Sequence, residues 1–139
     1  MEFSELAQKL NCREPSADLE ISLSKLGQPA YELLMSALNR TDLSERQVGN
    51  ALLLLMKVRF HGDQAAFFQK VLSMFTDRRI HVRSVAIRIA MALCLLGEKE
   101  KAFAIPNASR SELMPVLREA LKNDLEQPTI DGAKQFLEG

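Results

Sequence analysis

The stretch between residues 63 and 97 limits the fold more than any other part of the chain. It predicts an amphipathic helix, a short polar turn from Thr76 to Arg79, and a second helix that is apolar on most of its circumference. In the second helix apolar residues recur at steps of three and four, and others lie outside that stripe. The stripe consists of Val82, Val85, Ala86, Ile89, Leu93 and Leu96. Such a helix needs cover on several sides, so we expect further helices to pack around it.

The preceding segment repeats this pattern. A shift of about 37 residues, which is within the usual length of helix-pair repeats, places Leu34 on Val71 and Leu38 on Phe75. The same shift aligns Leu43 with Ile80, Arg46 with Arg83, Gly49 with Ala86 and Met56 with Leu93. A looser third copy begins at Ser111 and has Asp124, Ala133 and Leu137 at the matching positions, but it lacks the Val-Arg pair.

The residues Asp77, Val82, Arg83, Ala86 and Ala90 form a pattern that resembles the DxxxxxVRxxAxxxL signature of HEAT repeats, with one residue fewer between Asp77 and Val82 and with Ala90 in place of the final leucine. The resemblance implies an all-α fold, a short right-handed α-solenoid of antiparallel helix pairs, in one domain spanning residues 1–139. We expect about eight or nine helices and no strand. HEAT-like proteins mostly present surfaces, so the resemblance also implies a scaffold, adaptor or inhibitor.

Capping residues predict where the helices begin and end. A serine followed three residues later by Gln or Glu forms a capping box, in which each side chain satisfies a free backbone group of the other residue. Glycine is the usual residue just past a helix end, and proline suits a first turn. The predicted boundaries are helices over Phe3–Leu10 and Ser16–Leu26, capping boxes at Ser44 with Gln47 and at Ser109 with Glu112, helix ends at Gly27 and Gly97, and a start at Pro29.

The composition indicates a packed globular protein in the cytoplasm. Eighteen acidic and eighteen basic residues balance, which is not typical of disordered or polyelectrolyte chains. The first ten residues carry Glu2 and Glu5 and lack the basic leader and apolar segment of a secretory signal. The longest apolar run, Ile89 to Leu96, is shorter than the roughly 20 residues that span a bilayer. Cys12 and Cys94 lack metal or redox spacing and are interpreted as reduced thiols.

Catalytic motifs are absent from the sequence. One helical turn places His81 within reach of Asp77, but Ser84 lies three residues further along the helix, which gives a poor trajectory for nucleophilic attack. We interpret them as a helix start, with Asp77 as the cap and His81 on a solvated first turn. His61 and His81 are isolated and do not indicate a metal site. We therefore predict no enzyme activity, no cofactor and no metal.

The charges are unevenly distributed along the chain. Between residues 41 and 97 the acids are Asp42, Glu45, Asp63 and Asp77, and the bases are Arg46, Lys57, Arg59, Lys70, Arg78, Arg79, Arg83 and Arg88. A basic centre can face an acidic protein, a nucleic-acid backbone, or neither. In HEAT-like repeats the arginine at the position of Arg83 commonly pairs with a turn aspartate, so Arg46 and Arg83 are interpreted first as structural.

A binding surface is predicted on the second helices of successive pairs, because these line the concave side of a solenoid. The predicted partner-binding residues are Arg46, Asn50, Lys57, Arg78, Arg79, His81, Ser84, Ile87, Arg88 and Met91. Apolar residues beside charges, such as Ile87 and Met91, are typical of an interface centre, although burial in the core is the alternative interpretation.

The favoured function is a non-enzymatic protein-binding module that holds one protein partner on this centrally basic face. The resemblance includes small adaptors and immunity proteins, whose partner is a toxin or a secreted effector. Self-association through the exposed apolar edges of terminal repeats is left open. No membrane partner is expected.

Two alternatives come from other HEAT-like families. HEAT-like DNA glycosylases cradle a duplex on a basic face, but this chain is shorter, lacks tryptophan and is neutral overall. Bilin lyases of HEAT-like type handle ligands covalently, but Cys94 lies in an apolar run and is predicted to be buried. Cys12 lies in a predicted loop, where it can be exposed. Nucleic-acid-backbone binding is the main alternative.

Overall fold

A computed structural model describes residues 1–139 and contains eight α-helices, three 3₁₀ segments and no strand. The predicted all-α fold is confirmed. The helices are α1 (Phe3–Leu10), α2 (Ala17–Leu26), α3 (Gln28–Leu38), α4 (Glu45–Val58), α5 (Gln64–Ser73), α6 (Ile80–Lys99), α7 (Arg110–Ala120) and α8 (Gln127–Glu138). The 3₁₀ segments are Arg59–His61, Met74–Thr76 and Lys101–Phe103.

The chain forms two compact units, residues 1–67 and 68–139, and α5 begins in the first unit and ends in the second. Each unit is built around one helix that is apolar on most sides. These helices are α4 in the first unit and α6 in the second. The single domain expected from the sequence stays a prediction.

Both predicted capping boxes are present. The backbone N–H of Gln47 donates to Ser44 Oγ at 3.2 Å, and the Ser44 N–H donates to Gln47 Oε1 at 2.8 Å. At the start of α7 the Glu112 N–H donates to Ser109 Oγ at 3.3 Å, and the Ser109 N–H donates to Glu112 Oε2 at 3.2 Å. Gly27 follows α2 with a φ of 69°, a conformation that favours glycine. These local signals therefore position three helix ends correctly: the start of α4, the start of α7 and the end of α2.

Two details at the ends of α6 differ from the prediction. The helix does not stop at Gly97 but continues to Lys99. Gly97 instead permits close packing, because a Cβ there would lie 3.1 Å from the Cα of Ala104. Asp77 is not the residue that caps the helix, since α6 begins at Ile80 after Arg79. Its carboxylate accepts the Arg79 backbone N–H at 2.9 Å, within the preceding turn.

In the first unit α1, α2 and α3 all pack against α4. This explains why α4 is buried around most of its circumference, with only Leu53 among its large apolar residues exposed, at 38 %. The loop after α4 is held by Tyr31, whose hydroxyl donates to the carbonyl of Asp63 at 2.6 Å. A side chain at Gly62 would collide with the Tyr31 ring, so glycine is required there.

In the second unit α7, α8 and the 3₁₀ segments on either side of α6 pack against that helix. Its core residues include Val82, Val85, Ala86, Ile89, Ala90 and Leu93. By length and mean hydropathy α6 could cross a membrane, although its uninterrupted apolar run is short. However, 56 % of its most apolar window is buried inside protein. A helix at the centre of a folded unit meets the same criteria, so this observation alone does not indicate a membrane span.

Candidate functional site

Helices α6 and α8 border a groove of about 420 Å³ on the second unit. This volume lies within the range of about 300–1,000 Å³ that ligand pockets occupy. We call it the α6–α8 groove, and its lining consists of Arg88, Met91, Ala92, Leu95, Arg110, Gly132, Gln135, Phe136 and Gly139. Most of these residues are apolar, and Leu95 is 46 % exposed. The groove therefore presents apolar surface to solvent.

The periodicity of the two helices produces this lining. On α6, Arg88, Met91, Ala92 and Leu95 follow at steps of three and four, so they share one face. The α8 residues of the lining recur at similar steps. Small residues, Ala92 on α6 and Gly132 on α8, belong to this lining, and their size leaves space that larger side chains would fill.

Gly132 lies inside α8 without a steric need for glycine. A Cβ at this position would lie 3.6 Å from Met91 Cε, which is an ordinary van der Waals distance, and would meet no other atom within 4 Å. Glycine in a helix interior costs about 0.5–1 kcal/mol relative to alanine. We associate this cost in stability with the open space between α6 and α8, which a larger side chain at position 132 would reduce.

Arg110 forms a fixed side of the groove. Its Nε and Nη2 donate to the two carboxylate oxygens of Glu98, both at 2.9 Å. Its Nη1 donates to the carbonyl of Phe136, and the guanidinium carbon lies 4.2 Å from the centre of the Phe136 ring. The bond from Arg110 lowers the pKa of Glu98. Arg110 is therefore held by several contacts within the unit.

Arg88 is held far more loosely. Its side chain is 46 % exposed, and its Nη2 lies 3.9 Å from Glu126 Oε1, near the limit for an ion pair. The other carboxylate oxygen of Glu126 lies 3.0 Å from His81 Nδ1. A guanidinium has five N–H donors, so one long ion pair leaves Arg88 able to bind a further anion.

The groove has a clear electrostatic character. Two arginines and no acidic side chain belong to its lining. Arg110 is already neutralised by Glu98, whereas Arg88 has only the distant oxygen of Glu126. The site therefore combines an apolar surface with one available positive charge and can bind a partner without chemical reaction.

Of the predicted partner-binding residues, the structure brings Arg88 and Met91 together in this groove. Met91 is only 7 % exposed, so it contributes a mostly buried wall. Arg78 is exposed in the turn before α6. In the first unit, Arg46 is exposed and its Nη1 donates to the carbonyl of Arg13 at 3.1 Å. Lys57 borders a separate depression of about 420 Å³ with Glu20, Ile21, Ser24 and Lys25.

Asn50, Ser84 and Ile87 are buried, which corrects the prediction that a partner can reach them. Asn50 Nδ2 donates to the carbonyls of Leu10 and Cys12 at 2.9 and 2.8 Å. It therefore supplies hydrogen-bond donors to the C-terminal end of α1 and to the loop after it. The polar character of Asn50 on α4 did not reveal this internal role.

Ser84 likewise serves the fold of its own unit. Its hydroxyl accepts the backbone N–H of Glu126 at 2.9 Å, and its carbonyl accepts the Thr129 hydroxyl at 3.3 Å. These bonds join α6 to the start of α8. Ile87 has no exposed surface, so for this residue the alternative interpretation of core burial applies.

Arg79 and His81 are half-buried and have partners within the second unit. Arg79 forms a bidentate pair with Asp77, with both N–O distances at 2.9 Å. This pair lowers the pKa of Asp77. His81 contacts Glu126, as described above, so the expectation that it lies on a solvated turn is wrong: its side chain is 19 % exposed.

Arg83 and Arg46 do bind groups within their own units, but the acceptors are backbone carbonyls. Arg83 Nη1 donates to the carbonyl of Asp77 at 2.8 Å, and Nη2 donates to the carbonyl of Asp124. The predicted aspartate is therefore reached at its backbone rather than at its carboxylate. The structural interpretation of these two arginines fits these contacts.

The two thiols differ as the sequence indicated. Cys94 is 3 % exposed, and burial raises its pKa. Cys12 is half-buried, and its Sγ lies 3.4 and 3.3 Å from the carbonyls of Lys9 and Glu14. No group of three or more His, Cys, Asp or Glu side chains is arranged to hold a metal ion.

Sequence reasoning missed Leu95, Arg110, Gly132 and Phe136 as parts of one groove. Gly132 carried a usable signal, since an isolated glycine inside a helical pattern often has a packing or functional reason. Leu95 also lies outside the apolar stripe of its helix. Packing along that stripe does not explain an apolar residue at this position.

Comparisons with known proteins do not assign the chain to a family. Models of protein families, curated proteins and solved structures gave no match to this sequence or its fold. Function is therefore inferred from the groove and its neighbouring charges.

Proposed function

We propose that this chain is a non-enzymatic protein-binding module, an adaptor or an inhibitor of the immunity type, and that the α6–α8 groove holds one protein partner. The observation that carries the proposal is the exposed apolar lining beside Arg88, without an acidic side chain. Arginine, methionine and aromatic residues are enriched in the centres of protein interfaces.

The energetics of the groove suit an anchoring contact. Full burial of one large apolar side chain contributes about 1.5–3 kcal/mol. A hydrogen bond to a charged group adds about 1.5–3 kcal/mol. Stable interfaces cover roughly 800 Å² on each partner, which is more than a groove of this size offers. We therefore expect the groove to receive the central residues of a larger interface.

The proposal includes a HEAT-like architecture, a right-handed solenoid of helix pairs. The shift of about 37 residues typical of helix-pair repeats relates α3 and α4 to α5 and α6 to within a few residues. Arg46 and Arg83, which the shift aligns, each donate to backbone carbonyls outside their own helix. An experimental structure in which the two helix pairs superimpose would support this architecture, and one in which their packing differs would refute it.

The proposal also places the protein in the cytoplasm. Both cysteines are free, which is usual for proteins in a reducing compartment. Fractionation of the native host with an antibody against the chain tests this location. Recovery in the membrane or exported fraction would contradict it.

Affinity capture from the native host tests the protein-binding function. The bait is the tagged full chain, beside a Gly132→Leu variant that fills the groove and a Lys134→Leu control. Lys134 is exposed on α8 and outside the groove lining, so the control adds the same side chain at another place. We expect the wild type and the control to retain one dominant protein at one-to-one stoichiometry, and Gly132→Leu to lose it.

Two outcomes of this capture would contradict the proposal. The first is a partner retained equally by Gly132→Leu, since the groove would then not be the site. The second is retention of nucleic acid in place of protein, released steeply by salt. That result would support backbone binding, in which affinity falls with salt because counterions are released on binding.

A further inference from the structure

We infer that the occupant of the α6–α8 groove is an acidic segment of the partner, with one large apolar side chain in the groove and one carboxylate on Arg88. This inference rests on the proposed function and adds the chemistry of the partner. It depends on the shape of the lining, on the state of each arginine and on the absence of acidic side chains from the lining.

The lining favours an apolar side chain over a polar one. Ala92 and Gly132 leave space, and Met91 and Leu95 bring flexible or exposed apolar surface to it. Methionine adapts its shape to irregular partners because it is unbranched and has several rotatable bonds. A polar side chain placed here would have to exchange water for a lining with few hydrogen-bonding groups, which is unfavourable.

Arg88 favours a carboxylate as the neighbouring group. Its present partner, Glu126 Oε1, is 3.9 Å away, while Glu126 is also engaged by His81 at 3.0 Å. A carboxylate from a partner can form the short bidentate pair that Glu126 does not form with Arg88. The groove lining has no acidic side chain, so the acid with which an incoming carboxylate competes for Arg88 is Glu126.

The state of Arg110 limits the number of direct ion pairs to one. Both of its carboxylate-facing nitrogens are used by Glu98, and Nη1 is used by the Phe136 carbonyl. Arg110 therefore helps to shape the groove, but its paired Nε and Nη2 donors are not available to a partner. A segment with several acids would place only one of them directly on an arginine of this groove.

A basic segment and a nucleic-acid backbone fit the groove less well. A basic segment would meet the positive charge of Arg88, whose acidic neighbour Glu126 is 3.9 Å away. Phosphate backbones bind through many cations in succession, whereas the lining offers one loosely held arginine beside apolar surface. An acidic segment with an apolar anchor satisfies both features at once.

The test is selection from a phage-displayed library of random peptides on the full chain, with the Gly132→Leu variant used for counter-selection. We expect enriched peptides to carry Asp or Glu close to Phe, Leu or Met. Synthetic copies should bind Arg88→Glu at least about tenfold more weakly, and Arg118→Glu within about twofold of wild type. Arg118 is an exposed arginine of α7 outside the groove lining, so it controls for the change in net charge.

Circular dichroism of each variant establishes that the helices are intact, and Arg88→Gln provides a milder change that removes the charge without reversing it. Enriched apolar peptides without acids, or equal binding by Arg88→Glu, overturn the acidic inference but leave the groove as a binding site. Failure to enrich any peptide over Gly132→Leu overturns the inference of a linear segment. The affinity capture from the native host then tests the proposed function separately.

Discussion

A Cβ on Gly132 would lie 3.6 Å from the Cε of Met91, so the groove between α6 and α8 has room for a methyl group at this position. The helix tolerates a methyl group sterically at this position. Glycine is therefore unfavourable for the stability of α8, and its presence favours access to the groove. Stability and binding are expected to change in opposite directions when this residue is enlarged.

Gly132→Ala tests this opposition. We expect the free energy of unfolding to rise by about 0.5–1 kcal/mol, because alanine loses less backbone entropy in a helix. Urea denaturation measures it. Ala92→Gly is the matched change on α6 and should lower stability by a similar amount while it keeps the groove open. A loss of stability in Gly132→Ala would show that the methyl group is not accommodated.

Asn50→Ala should destabilise the protein by more than its small change in side-chain volume suggests. Two carbonyls, those of Leu10 and Cys12, lose their Asn50 donor. The Leu10 carbonyl keeps the Cys12 N–H at 2.9 Å, so the expected cost, about 1–3 kcal/mol for a buried group left without its partner, falls on the Cys12 carbonyl. Chemical denaturation gives the free energy, with the exposed Asn123→Ala as the control. A change in Asn50→Ala no larger than in the control would mean that Asn50 has no structural role.

Ser84→Ala should lower the stability of the second unit. The variant removes the acceptor of the Glu126 backbone N–H and leaves that donor without a partner at the start of α8. The expected loss is about 1–3 kcal/mol. Amide hydrogen exchange should show faster exchange at Glu126 and in the first turn of α8. Unchanged exchange there would contradict the role assigned to Ser84.

Acid should weaken the turn before α6. The ion pair with Arg79 holds the pKa of Asp77 below its ordinary value of 3.8, so the pair contributes stability above that value. This contribution is lost as the pH falls through the lower pKa of the folded state. Asp77→Asn keeps an oxygen for the Arg79 backbone N–H but removes the charge.

The difference in unfolding free energy between wild type and Asp77→Asn should therefore be constant near neutral pH and should shrink below about pH 4. Denaturant titrations across this range measure it. A difference that stays the same in strong acid would show that the charge of Asp77 does not contribute.

The thiols should react at different rates. Cys94 is buried and its pKa is raised by burial, so little reactive thiolate is present at its site. Cys12 is partly exposed. With a disulfide reagent at mildly alkaline pH we expect one fast and one slow reaction, and Cys12→Ser should abolish the fast one. A fast phase that survives in Cys12→Ser would contradict the burial of Cys94.

Local features of the fold were predictable from the sequence because they depend on neighbouring residues. The capping boxes at Ser44 and Ser109 and the turn at Gly27 each involve groups within a few positions. The helix end predicted at Gly97 was wrong for a tertiary reason, since the small size of this glycine allows close contact with Ala104 rather than ending the helix.

The candidate site was less predictable because it depends on which helices cover which faces. Asn50 has the polarity of a surface residue, yet it is buried because distant carbonyls after α1 need its donors. Arg88 was predicted as a partner-binding residue, but several residues that line the groove with it come from α7 and α8. Periodicity alone does not reveal that these helices leave the Leu95 side of α6 partly open.

The dissociation constant of the captured partner, measured by titration calorimetry for wild type, Gly132→Leu and Lys134→Leu, tests the central claim most directly. If a protein partner occupies the α6–α8 groove, Gly132→Leu will raise the dissociation constant at least about tenfold and Lys134→Leu will leave it within about twofold. Equal dissociation constants for wild type and a correctly folded Gly132→Leu would contradict the account.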